Sequence, residues 1–578
     1  MLSVENKILD KVKTALLAAY PDFSGSALSL SFAPEIKFGD FALPCFLPAK
    51  ELKISPALLA TQIATALAGD DFFVQVAAAG PYVNFTVQSE FLFADVLALE
   101  KKDAALNDGE KIILEYLSPN TNKPLHLGHV RNGCLGTAVA NILSYVGYDV
   151  TRASLVNDRG IHICKSMLAW QKFGHGETPA TTGEKGDHFV GRYYVKFAIE
   201  SEKDPSLNDE AQDMLRRWEA RDVAVLELWQ KMNSWVYSGF GVTYKTLGFN
   251  FDKFYYESEL YNLGKDIVMT GLEKGVFKKA ADGSIIYPLP RDEFGLDADD
   301  KEKFVTLLRA DGTSVYITQD LGVAQQRFAT EKFQRAIYVV GSEQIYHFKC
   351  LVAVLSGAGF AWADNIKHLS YGMVYLPEGK MKSREGKVVD ADNLAAELIA
   401  LASAAVCEKN TEANLSEAEI MTRAAKIGIG ALKFYILRVG ADLDIHFNPK
   451  ESISFDGVTG PYCQYSFARI SSILAKFSAA TNDYDLSLLG NLEERFLAQK
   501  VLAFPQKIKD AATTLNPSLI AAAIYDIAKA FSQFYHHHQI LIEDNPALSA
   551  ARIALIKKTA AVLQSGLELL GIEVLAEM

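Results

Sequence analysis

The sequence predicts a multidomain α/β protein. A doubly wound, Rossmann-like central domain should lie between a small N-terminal α+β domain and a C-terminal helical bundle. Three observations predict this. The chain has 578 residues, more than one hydrophobic core supports. From about residue 109 to 455, apolar strand-like runs alternate with helical periodicity, the pattern of a parallel sheet covered on both faces. Beyond about 456, the apolar spacing becomes helical throughout.

Residues 1–108 carry helical patterns over roughly 4–19 and 56–68, with short strands in "FFVQVAAAG" and "PYVNFTV". The polar run "EKKDAALNDGE" leads into the apolar strand "KIILEYL". A helix near 126–146 follows, with Val130, Cys134, Ala138, Ile142 and Val146 at spacing four. "YDVTRASLV", "SVYITQD", "RAIYVVG" and "IKHLSYGMVYL" read as further strands. Residues 170–310 are more polar and read as an insertion. Residues 456–578 form the helical bundle.

Composition bounds the function. Apolar residues make up 49% and charged residues 22%, as in ordinary globular proteins. No run of 18 apolar residues argues for a membrane span, and the amphipathic start is unlike a signal peptide. Six scattered cysteines without a Cys-x-x-Cys pair fit a reducing cytoplasm and argue against structural zinc. A net charge of −12 speaks against wholesale binding of nucleic acid, though not against a local basic path.

One stretch stands out: "SPNTNKPLHLGHVRN", residues 118–132. It places two of only 11 histidines, His126 and His129, at the mouth of a helix just after a strand. A helix N-terminus suits phosphate. Lys123 and two imidazoles add donors for a phosphoryl group whose charge rises in the transition state. Gly128 leaves room for a flat group against the backbone. With no nearby carboxylate or cysteine, the pair makes a poor zinc site. A second stretch, "YLPEGKMKSREGKVVDADNL", puts Lys380, Lys382, Arg384 and Lys387 in a glycine-containing loop beyond a strand. Alone, either stretch reads equally as a chance pair or a solvated charged loop.

Together, "HLGH" and "KMKSR" resemble the two signatures of class I aminoacyl-tRNA synthetases. "EYLSPNTNKPLHLGHVRN", "YITQDLGVAQQRF", "GMVYLPEGKMKSREGKVVDADNL" and "GPYCQYSFARISSIL" are most similar to the arginyl-tRNA synthetase family. "FGDFALP" and "GPYVNF" resemble that family's N-terminal domain, which binds the tRNA elbow. The resemblance implies a ligase that joins arginine to tRNA-Arg through an arginyl-adenylate, using ATP with Mg²⁺ and no tightly bound protein metal. A cytoplasmic location is expected from the cysteines, and a monomer is expected. His126 and His129 would act on the ATP phosphates, and Lys380 and Lys382 on the pyrophosphate side. Pro119, Asn120, Leu127, Gly128 and Met381 would line the nucleotide site, with Gly341 and His347 near the adenosine. Glu115, Ser118, Asn120, Tyr316, Asp320 and Gln344 match arginine contacts.

Physical reasoning supports carboxylates for a guanidinium, which pairs with them in a bidentate fork. Glu115, inside "IILEY", needs a cationic partner, and a protein Arg or Lys is the alternative to the substrate. Such pairing rejects other amino acids without editing. Lys380 follows His129 by 380 − 129 = 251 residues, which leaves little room for a large editing insertion. One departure is that Ser383 stands where the family's loop has its second lysine. Either Lys382 serves from a shifted register, or Lys123 supplies the charge. Tyr462, Tyr465 and Tyr535 are candidates for stacking on tRNA bases. Adjacent histidines at 536–538 point about 100° apart on a helix and cannot share one ion. Two rivals remain: an adenylate-forming small-molecule ligase, and an inactive relative that only binds tRNA.

Overall fold

The structure, a computed structural model, describes residues 3–296, 301–375, 389–409, 415–477 and 484–578. The N-terminal helix Val4–Ala19 buries Val4, Ile8, Val12 and Leu16 on one stripe and is capped by Ser3, whose Oγ accepts from Asn6 N at 3.3 Å. It packs with Pro56–Ala66 and Ser89–Ala98 on an antiparallel sheet ordered Ser31–Phe32, Phe41–Pro44, Tyr82–Val87 and Phe73–Ala79.

The central sheet contains β1 (Lys111–Glu115), β2 (Asp149–Val156), β3 (Lys253–Tyr256), β4 (Arg335–Gly341) and β5 (Ile366–Tyr371). All four pairings are parallel, in the order β5-β4-β1-β2-β3. The chain winds outward from β1 in both directions, so the β1/β4 boundary is a topological switch point. In such sheets, ligands enter outside the carboxyl ends of the strands at that boundary. Helix α1 (Leu127–Tyr145) follows β1 and is buried nearly all round. Between β2 and β3 the chain inserts α2 (Gly186–Lys203) and α3 (Val223–Leu247), among other helices.

Two strand expectations need correction. "SVYITQD" is helical: α4 spans Tyr316–Gln325. Its alternation of β-branched and aromatic residues reads as a strand, but Thr318 Oγ1 accepts from Val315 N at 3.1 Å and donates to Leu307 O, which closes a helical first turn. "IKHLSYGMVYL" breaks after β5, and Val374–Tyr375 pairs with Ile445–His446 in a separate two-stranded sheet.

The C-terminal region contains α5 (Gly460–Lys476), α6 (Leu492–Thr514), α7 (Ser518–His537) and α8 (Pro546–Leu569). No described helix is long and apolar enough to cross a membrane. The first and last regions are locked together. Asp40, fully buried, accepts from Arg495 Nε at 2.9 Å and from Arg495 Nη2 at 2.5 Å. Arg495 also reaches Val87 O, and Gln499 Nε2 donates to Asp40 O at 2.8 Å. A bidentate guanidinium–carboxylate pair with further backbone partners is the arrangement that makes a buried charge tolerable.

Candidate active site

A cavity of about 350 Å³ opens at the switch point. Ser118 beyond β1, Val339, Val340 and Gly341 of β4, Glu343, Tyr371 of β5 and Gly372–Val374 line it, facing His126, Gly128, His129 and Asn132 of α1.

His126 is the N-cap of α1 and His129 its third residue, so the helix begins slightly later than the sequence suggests. The backbone N–H of His126 donates to His129 Nδ1 at 3.1 Å. The proton of neutral His129 therefore sits on Nε2, free to donate outward. The rings lie 3.8 Å apart. His126 Nδ1 is buried without a protein partner. A Cβ at Gly128 would meet the His126 ring at 3.1 Å, so the glycine accommodates the imidazole itself. Burial, and then the charge of Lys123, push His126 down to about 4. Burial, then His126 and Lys123, push His129 well below its ordinary value. Burial also lowers Lys123. At neutral pH the site therefore offers two neutral imidazoles and one desolvated ammonium.

Two neighbours on α1 escaped the sequence reading. Asn132 Oδ1 accepts from Leu117 N at 2.6 Å, while its Nδ2 donates to Val339 O at 2.7 Å and Tyr371 Oη at 3.1 Å, stitching three strand ends together. Arg131, almost wholly buried, donates to four carbonyls: Gly372 (2.8 Å), Met373 (2.9 Å), Ala441 (2.9 Å) and Leu443 (2.5 Å). Polar side chains inside an otherwise apolar helix were the available signal. Lys380, Met381 and Lys382 lie outside the described residues.

The amino-acid side of the site differs from expectation in two places. Glu115 is buried and ion-paired to Arg327 Nη2, whose guanidinium lies 4.8 Å from the Tyr255 ring centre and 5.1 Å from that of Tyr338. Its cationic partner is a protein arginine, the alternative the sequence left open. His347 does not line the cavity. Its Nε2 lies 2.6 Å from Asp320 Oδ2, and this bond raises its pKa. Asp320, in the second turn of α4, is therefore already hydrogen-bonded to His347. Tyr316, the first residue of α4, is 83% exposed. Gln344 ends the short 3₁₀ turn Ser342–Gln344 after β4. Asn120 bridges to Asn157, Pro119 O accepts from Asn157 N at 2.9 Å, and Leu127 is buried with its N–H on Val389 O at 3.0 Å. These three brace the loop from behind and do not line the cavity.

Glu257 was missed. It opens a short helix after β3, is half-buried and has no ionic partner among the described residues. Burial pushes it up to about 7, Asp158 and Asp320 add to the rise, and Arg159 opposes it. "YYESEL" looks like any acidic helix start, so only the structure reveals that this carboxylate shares a field with Asp320.

The aromatic candidates of the C-terminal helices divide. Tyr462 packs on Tyr525, with ring centres 5.5 Å apart. Tyr465 and Tyr535 flank Arg469, whose guanidinium lies 4.7 and 4.9 Å from their ring centres, and Arg469 Nη2 donates to Tyr465 Oη at 2.9 Å. This stacked Tyr–Arg–Tyr layer joins α5 to α7.

Comparisons with known proteins agree along the whole chain. The family described as "tRNA synthetases class I (R), catalytic domain" matches residues 93–448. "Arginyl tRNA synthetase N terminal domain" matches 6–87, and "DALR anticodon binding domain" matches 463–578. An arginine–tRNA ligase of Bacteroides fragilis is 44% identical over 602 aligned residues, covering 99% of each chain. One of Porphyromonas gingivalis is 42% identical over 601, again covering 99% of each. The solved Thermus thermophilus arginyl-tRNA synthetase superposes with a TM-score of 0.79 at 25% identity, covering both chains fully. By catalytic-domain match and by full-length identity, this chain belongs to the arginyl-tRNA synthetase family of class I synthetases.

Proposed function

We infer that the protein is an arginine–tRNA ligase that activates arginine with ATP and transfers it to the terminal ribose of tRNA-Arg. The observation that carries this reading is the switch-point cavity. There, two neutral imidazoles lie at a helix N-terminus, with the desolvated Lys123 near enough for its charge to depress both.

The arginine carboxylate attacks the α-phosphorus, and pyrophosphate leaves with the bonding electron pair. Negative charge grows on the phosphate oxygens, where the Nε2–H of His129, His126 and Lys123 stand ready as fixed donors. Positioning carries the rest, since no protein nucleophile is required. Gly341 and the Gly372–Val374 wall would face the adenosine. Mg²⁺ would arrive on the triphosphate. Glu343 is the one carboxylate among the described lining residues, so phosphate oxygens and water would supply most of its ligands. Asp320 and Glu257 would take the guanidinium, with Tyr316 and Gln344 at the pocket's edge and Ser118 near the α-amino end. Glu115 would act through Arg327 as part of the pocket's frame. The Tyr465–Arg469–Tyr535 layer would take an unstacked tRNA base. The six free cysteines fit a reducing cytoplasm.

Arginine-dependent ATP–pyrophosphate exchange, run with and without tRNA, tests this reading. Exchange with arginine but not lysine or citrulline is expected. Its absence with folded protein would leave the inactive tRNA-binding relative.

A pH effect follows from Glu257. Burial and the neighbouring Asp158 and Asp320 favour its neutral form up to about pH 7, against the opposing Arg159. A bound guanidinium favours the carboxylate, so it lowers that pKa and releases a proton. Near pH 7, arginine binding should release about half a proton, and affinity should strengthen as pH rises from 6 to 8. Calorimetry in buffers of different protonation enthalpy reads this release. It should vanish in Glu257→Gln, and a wild-type protein that releases none would remove Glu257 from the pocket.

A further inference from the structure

Helix α2 belongs to the insertion, yet it is built against the histidine segment. A Cβ on Gly191 would stand 2.8 Å from Pro124 Cδ and 3.5 Å from Lys123 Cα. The helix therefore touches the stretch that carries Lys123, and the rigid proline ring has little room to yield. One turn earlier, His188 Nε2 lies 3.2 Å from Asp390 Oδ2 and 3.0 Å from Asp392 Oδ2. Lys185, the N-cap of α2, donates from Nζ to Asp392 at 2.6 Å, Asp187 at 2.9 Å and Thr243 Oγ1 at 2.6 Å. Thr243, on α3, donates in turn to Asp392 Oδ1 at 2.9 Å.

Asp390 is part of the active-site backbone. It bridges to His126, with Leu127 N on Val389 O and Ala391 N on Leu125 O, both at 3.0 Å. Residues 125–127 and 389–391 thus lie side by side, and α2 touches Lys123 and Pro124 just before the first and Asp390 within the second. Asp187, His188 and Asp392 bring ligand atoms within 4.8 Å of one another, but the cation bonded to both aspartates is the Lys185 ammonium. The cluster is a salt-bridge network, and hydrogen bonds to Asp390 and Asp392 hold His188 protonated, pushed up to about 10.

We propose that α2 is a positioning element for the ATP chemistry, with Gly191 and His188 as positioning residues that fix the 123–129 segment. This rests on the reading that Lys123 and the two histidines act on ATP. Gly191 sets how closely the helix approaches Lys123. His188 ties the helix to the 389–391 segment that His126 bridges to. A displacement of about 1 Å at reacting groups is worth roughly 10²-fold in rate, so small shifts here should register in turnover before they register in folding.

The test compares Gly191→Ala, His188→Gln, Lys123→Ala and Gly241→Ala in arginine-dependent ATP–pyrophosphate exchange with tRNA present, together with thermal unfolding. Gly241, on α3, has nothing within 4 Å of an added Cβ and controls for helix propensity. The expected result is a fall in kcat of about tenfold or more for Gly191→Ala and His188→Gln, with KM for arginine within about twofold and Tm close to wild type, while Gly241→Ala behaves as wild type. Wild-type turnover in both α2 variants overturns the proposal. So does a parallel loss of arginine affinity and Tm, which marks a structural role only. Reduced turnover in the α2 variants with an unaffected Lys123→Ala would remove the lysine reading and leave α2 positioning the histidines.

Discussion

Lys123→Ala is expected to lower kcat for arginine-dependent exchange by about 10²- to 10³-fold while KM for ATP changes by only about threefold. Lys123 is half-buried, and burial already makes its charge expensive in the free enzyme. Charge growing on the leaving pyrophosphate relieves that cost most fully in the transition state, so the benefit belongs there and not in ground-state binding. By its resemblance to the class I loop, the chain has Ser383 at the position of the second loop lysine. Steady-state kinetics against ATP concentration separates the two constants. Unchanged turnover would return the role to Lys382.

Asp320→Asn is expected to reduce kcat/KM for arginine by about 10³-fold, the effect of removing one partner of a desolvated charge pair. The asparagine keeps size and one acceptor but loses the charge, so discrimination against citrulline should narrow as activity falls. The substitution also releases His347, now 2.6 Å from the carboxylate, whose raised pKa should return toward an ordinary histidine value. Exchange assays with both amino acids measure the first effect, and histidine NMR titration the second. A KM for arginine within about threefold of wild type would place the guanidinium elsewhere.

The sequence was most legible where one local pattern had one structural solution. Strand, proline-bracketed loop and apolar helix located His126 and His129 at the crevice because a parallel sheet admits few other places for them. The helices after residue 456 were legible for the same reason, since their apolar stripes repeat at helical spacing. Tyr316–Asp320 were not. Their side chains favour a strand, but a single hydroxyl, Thr318 Oγ1, satisfies the backbone of a helical turn instead. Glu115 was legible only up to its need for a cation, because Arg327 is 212 residues away and no local pattern links the two. Glu257 carried no signal at all, because its raised pKa comes from burial and from what the loop after β2 and helix α4 bring beside it.

The Asp40–Arg495 pair joins residues 455 positions apart. At synthesis rates of roughly 5–20 residues per second, Asp40 leaves the ribosome about 20–90 s before its only guanidinium partner in the described structure exists. During that interval the carboxylate must remain hydrated, because a buried and unpaired one is strongly unfavourable. The first region to be made therefore cannot reach its final packing by itself. Its closure waits for α6, and the completed amino end reports that the carboxyl end has folded.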